Sequence, residues 1–135
     1  MASWLLPTFG YILLLGAAGV TAKLALRTIS WEQLVLWVPL AYIAFSIVLV
    51  AGRGARLPLG AGGAWAAATA VCAAASLILL FVALTKGDAS KVVPAGSAYP
   101  VVTVIGSAIF LSEAITTLKI VGTALVVAGV VLLSR

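Results

Sequence analysis

The chain is 135 residues long, 64% hydrophobic and 8% charged, with a formal net charge of +5 and a mean hydropathy of +1.30. A soluble domain carries about 25% charged residues, and 8 Lys and Arg with 3 Asp and Glu cannot cover a water-facing surface. The composition excludes a water-soluble globule and points to an all-α integral membrane protein. The positive charge then belongs to helix ends facing anionic headgroups, not to nucleic-acid binding.

A helix crosses a bilayer core with about 20 apolar residues, and five segments reach that length. A barrel would need alternating segments of about 10 residues, and none is present. Met1-Ala-Ser-Trp4 lacks the basic start of a cleavable signal peptide, so the first segment, about Trp4 to Leu26, is expected to stay as a span. The second runs from about Trp31 to Val50, with Ser30 placed to cap it and Glu32 near its positive end. A Gly- and Pro-containing loop, from Ala51 through Pro58 to Ala61, leads to the third, about Gly62 to Thr85. At Lys86-Gly87-Asp88 the chain turns at the surface. Gly87 is expected to end the helix in the left-handed conformation, and the Asp88 carboxylate to cap the next. The fourth span runs from about Ala89 to Leu111 and the fifth from about Thr117 to Leu133, so residues 1–135 read as a single domain. Trp4, Trp31 and Trp65 open spans, at the headgroup level.

An odd number of spans puts the termini on opposite sides. One side holds Arg53, Arg56 and Lys119, and the other Lys23, Arg27, Lys86, Lys91 and Arg135. Three against five favours a cytoplasmic C-terminus weakly, and with Lys23 inside the membrane the count is three against four. Such balance allows insertion in both orientations.

Small residues mark helix contacts in lipid. The third span carries Ala66, Ala70 and Ala74, the fifth Gly122 and Gly129, and the first Gly16 and Gly19. Tight packing within the bundle is the expectation, with a dimer contact as the alternative for Gly122 and Gly129. Cys72 reads as a small packing residue. In the fourth span Gly96, Tyr99, Thr103, Gly106 and Ser107 share a face, and Pro94 and Pro100 remove backbone donors. Irregular backbone at membrane depth is tolerated where it is buried or lines a cavity. The span is therefore either a pathway wall or a kinked packing helix whose hydroxyls bond its own carbonyls. Trp37 and Tyr42 flank Pro39, facing a cavity or filling the core. Lys23, one turn inside the first span, either snorkels to the surface or marks a solute path.

Catalytic parts are missing. There is no histidine, and Glu32, Asp88 and Glu113 all fall near span ends. No catalytic group, metal site or cofactor is expected. Solute transfer needs only a site and two conformations.

The run Ala83-Leu84-Thr85-Lys86-Gly87-Asp88-Ala89-Ser90-Lys91-Val92-Val93-Pro94 resembles the junction of helices 3 and 4 in EamA-like domains of the drug/metabolite transporter superfamily. Phe110-Leu111-Ser112-Glu113 is similar to that family's Leu-Gly-Glu ending of the fourth helix, and the stretch from Gly122 to Gly129 to its glycine-rich fifth helix. Gly19 to Lys23 also resembles family usage. Ser112 stands where the family usually has Gly, and Ala114 where it has a basic residue. The resemblance implies a multi-pass protein of a bacterial or archaeal plasma membrane that carries small organic metabolites or drugs. With that function, the residues singled out above place a solute path past Lys23, Trp37, Tyr42, Tyr99, Thr103 and Ser107, and leave structural roles for Gly87, Asp88, Pro94, Pro100, Glu113, Gly122 and Gly129. Most such carriers hold two inverted five-helix domains, so a single one implies a homodimer of oppositely oriented copies. The superfamily's four-helix multidrug carriers need a carboxylate inside helix 1. The first span here has none, so neutral or anionic substrates are expected. The alternatives are a non-transporting membrane subunit or scaffold, and a flippase for lipid-linked sugars.

Overall fold

The computed structural model describes residues 5–57 and 60–134. Trp4, Pro58 and Arg135, used above as a headgroup anchor, a loop residue and a counted charge, lie outside the described residues. The elements are α1 (Leu5–Ala25), α2 (Trp31–Arg53), α3 (Ala61–Lys86), α4 (Ala89–Gly96), α5 (Pro100–Phe110) and α6 (Thr117–Ser134). No strand occurs among the described residues. The stretches Leu5–Ala25, Trp31–Arg53, Gly62–Lys86 and Ala89–Phe110 are long and apolar enough to cross a membrane, and α6 is a shorter apolar helix. At 1.5 Å per residue the 18 residues of α6 reach about 27 Å, close to the depth of a hydrocarbon core.

Hydroxyls inside the spans are satisfied locally, as lipid demands. Thr21 donates to Ala17 O (3.0 Å), Ser46 to Tyr42 O (2.8 Å), Thr69 to Trp65 O (2.9 Å) and Ser76 to Ala73 O (2.9 Å).

The chain divides into two compact units, Met1–Lys86 and Gly87–Arg135. In the first, α3 touches both α1 and α2. Gly19 and Ala22 of α1 and Phe81 and Leu84 of α3 are buried, Leu84 completely. α2 starts at a capping box in which Gln33 N–H donates to the Ser30 hydroxyl (3.3 Å) and Ser30 N–H to the Gln33 side chain (3.0 Å). It ends at Gly54, whose left-handed backbone (φ 62°) lets its N–H reach Val50 O at 3.0 Å. In the second unit, α4 and α5 both pack on α6.

Two expectations at the junction of α3 and α4 are corrected by the structure. Gly87 is not left-handed: Gly54 and Gly60 are the glycines at positive φ among the described residues. Asp88 does hold the N-cap position of α4, but its carboxylate makes no capping bond. Its main-chain carbonyl accepts from Lys91 (3.0 Å) and Val92 (2.9 Å) instead, and the side chain stays exposed. Asp88 is itself extended (φ −72°, ψ 139°), so α4 starts without a left-handed glycine ahead of it.

The fourth span, read as one helix from Ala89 to Leu111, is broken into α4 and α5. Pro100 has no N–H for the Gly96 carbonyl. The chain tightens ahead of it: Ser97, Ala98 and Tyr99 N–H groups donate three residues back, to Pro94 (2.9 Å), Ala95 (3.2 Å) and Gly96 (3.2 Å). The Gly96 carbonyl thereby gains the Tyr99 N–H. Four-residue spacing resumes where Thr103 N–H meets Tyr99 O at 3.1 Å.

Of the small-residue faces, Gly19 of α1 is buried as expected, while the other named positions stay open. Ala66, Ala70 and Ala74 are exposed, as is the whole stretch of residues 66–75 of α3. A Cβ on Gly16, Gly122 or Gly129 would meet nothing within 4 Å. α3 is thus thin and exposed in its first half and bulky and packed in its second, from Leu77 to Leu84.

After α5 the chain passes through Ser112, the one non-glycine at positive φ among the described residues (53°). An L-residue pays about 1–2 kcal/mol for that conformation, part of which a glycine returns as extra freedom in the unfolded chain. Ser112→Gly is therefore expected to stabilise the protein by about 1 kcal/mol. A rise in Tm in detergent checks it, and no rise would mean the turn relaxes another way.

Candidate functional site

The site residues inferred from sequence fall into three groups. Lys23 is partnered by the main chain of a neighbouring helix. Its ammonium donates to the Leu84 carbonyl at 2.6 Å, half-buried beside the fully buried Leu84 side chain. Leu84 lies in the last turn of α3, where carbonyls lack partners within the helix and the helix dipole is negative, so a cation is favoured there. Lys23 lies in the last turn of α1. The bond shows that α1 and α3 end on the same side, and it uses the lysine to close one end of their contact. The sequence puts Lys23 one turn inside the end of the first span, where α1 has it, but does not reveal its partner, because the acceptor is a main-chain atom. The signal was the matched depth: both residues lie two positions before their helix's end.

Trp37 and Tyr42 do not converge. α2 stays helical through Pro39, so a spacing of five residues sets them about 140° apart around its axis. Both are exposed, 66% and 67%. Gln33, which shares a face with Trp37, is used by the capping box.

Tyr99, Thr103 and Ser107 do line up, at four-residue spacing from the α4–α5 break along α5. Tyr99 and Thr103 are exposed and Ser107 is half-buried. The Thr103 hydroxyl points to Tyr99 O (3.4 Å) and that of Ser107 donates to Val104 O (3.1 Å), the local bonding expected of hydroxyls in a packing helix. The opposite flank of α5 is apolar. Val101, Val104 and Ile105 face Ile120, Thr123 and Val127 of α6 across an open groove of about 600 Å³. The polar row therefore points away from α6.

Pro94 lies within α4 and Pro100 opens α5. Glu113 accepts from Lys119 at 3.2 Å, with both side chains near half exposed, and Lys119 also donates to Ala114 O (3.1 Å). An exposed pair of this kind contributes about 0–1 kcal/mol, so Glu113 holds the α5–α6 turn only lightly. Among the described residues no three His, Cys, Asp or Glu side chains gather to hold a metal ion.

Long apolar helices, hydroxyls turned onto their own carbonyls and a broken span at membrane depth define a multi-span α-helical membrane protein. The sequence profile of the EamA-like transporter family matches residues 2–135, and the chain belongs to that family. Over 70 residues it is 41% identical to an uncharacterized protein of Methanocaldococcus jannaschii, a match covering 52% of this chain and 51% of that protein. The chain thus spans about half the length of that relative. No solved structure matches it.

Proposed function

We propose that the protein is a secondary carrier of small organic solutes, working by alternating access in a bacterial or archaeal plasma membrane. The observation that carries this reading is the break at Ser97–Tyr99. Backbone that leaves the α-helical pattern at membrane depth is tolerated where it borders protein or a cavity. Here it continues into the exposed row of Tyr99 and Thr103. In this reading residues 1–135 act as one five-span repeat, and two copies inserted in opposite directions form the working homodimer, with solute held between them. Gly122 and Gly129 support it, since the space above both is open to a neighbouring helix. So does the charge count, because a Lys23 bonded to Leu84 O leaves three basic residues against four. Neutral or anionic solutes fit best, since α1 carries no acidic residue to hold a cation.

Uptake into liposomes by the reconstituted protein tests the proposal. Tyr99→Ala and Thr103→Ala are expected to slow uptake about tenfold each, as for one lost hydrogen bond of about 1.4 kcal/mol. Proton-driven export of a quaternary ammonium cation would overturn the substrate class. A scaffold role is the second reading, favoured by the exposed alanine face of α3. It predicts no uptake, and sensitivity only at Ala70 or Gly122.

A further inference from the structure

We propose that residues 96–100 form a hinge on which the two halves of the fourth span swing independently, both backed by α6. This rests on the carrier reading for its purpose, but its geometry stands alone.

The hinge lies in the middle of the span Ala89–Phe110, joining the end of α4 at Gly96 to the start of α5 at Pro100. In a continuous helix four successive backbone bonds would tie residues on either side of any such point. Here each bond across the segment ends on Ser97, Ala98 or Tyr99. The first three bond back to α4, while Val101 and Thr103 bond back to Ala98 (3.1 Å) and Tyr99 (3.1 Å). Each half also has its own packing on α6, so neither depends on the other for support.

Two residues supply the freedom. A Cβ on Gly96 would meet nothing within 4 Å, so this glycine is not there to make room. What it adds is a permissive backbone. Tyr99 is helical (φ −52°, ψ −26°) directly before Pro100. The proline ring disfavours that region for the residue preceding it and favours an extended ψ of about 120–160°. Tyr99 therefore holds one of two conformations open to it, and rotation of its ψ would swing α4 against α5. The Tyr99 side chain heads the polar row, so the swing would carry it away from Thr103 and Ser107. That gives one row of polar groups two arrangements, as alternating access requires.

Pro100→Ala restores the missing N–H and removes the steric pressure on Tyr99. Spin labels on Ser90→Cys and Ile109→Cys, both exposed sites, would report the distance between the halves. The background is Cys72→Ala, since Cys72 is exposed, and labelled protein is diluted into unlabelled protein in liposomes. The expected result is two distances with Pro100 present, one with Pro100→Ala, a higher Tm for the variant and loss of its uptake. Gly96→Ala, which has room for its methyl, is expected to shift all three the same way, and serves if Pro100→Ala does not fold. A single narrow distance in the unsubstituted hinge would overturn the proposal, as would full uptake by a variant fixed at one distance. Two distances in a protein that takes up no solute would support the hinge and refute the carrier reading alone.

Discussion

Leu84→Ala is expected to destabilise the protein by about 2–3 kcal/mol, while the same truncation at Leu79 costs less than about 1 kcal/mol. Leu84 is 0% exposed and Leu79 is 69% exposed, although both lie in the second half of α3. In water, a Leu→Ala change in a core costs about 2–5 kcal/mol, the sum of lost transfer energy and a residual cavity. In a bilayer the separated helix already sits among hydrocarbon tails, so the transfer part nearly cancels and the packing part remains. That places the effect at the lower end of the range. Phe81, 5% exposed, should follow the same rule. Reversible unfolding in micelles measures the difference, and equal effects at Leu84 and Leu79 would show that α3 is not held where its side chains are buried.

Lys23→Met should cost about 1–2 kcal/mol, because two effects of opposite sign compete. Leaving the Leu84 carbonyl without its partner costs about 1–3 kcal/mol. Removing a charge from the membrane gains about 2.5–3.5 kcal/mol at the bilayer centre but far less near a helix end, and Lys23 lies in the last turn of α1. The lost bond therefore wins. Lys23→Arg keeps a donor and a charge and should recover part of the loss. An unchanged Tm in Lys23→Met, with altered solute uptake, would move Lys23 from the α1–α3 contact to the solute path.

The spans were legible because hydrophobic length is a property of the sequence itself. Ser30, flanked by a connection on one side and Trp31 on the other, announced the start of α2, and the structure adds Gln33 as its reciprocal partner. The junction after α3 was legible in place but not in detail. Gly87 and Asp88 are the right residue types for the expected caps, yet α4 starts from an extended Asp88 without either device. Pro100 was recognised as a disturbance, but a proline can bend a helix or break it. The outcome depended on three neighbouring N–H groups shifting to nearer carbonyls. The candidate site was less legible. Side chains can be read from a sequence, but the carbonyl that binds Lys23 cannot. The angle between Trp37 and Tyr42 depended on whether α2 survived Pro39, and it did.

The exposed half of α3 has a thermodynamic consequence. Seven of residues 66–75 are alanine, and alanine has no rotamers to freeze. A helix docking there loses almost no side-chain entropy on this surface, and its main chain comes close enough for dispersion contacts along its length. The leucine-rich half beyond residue 76 would lose about 0.5–1 kcal/mol for each leucine immobilised. Reversible assembly in the membrane is therefore entropically easiest along one leaflet's worth of a single helix.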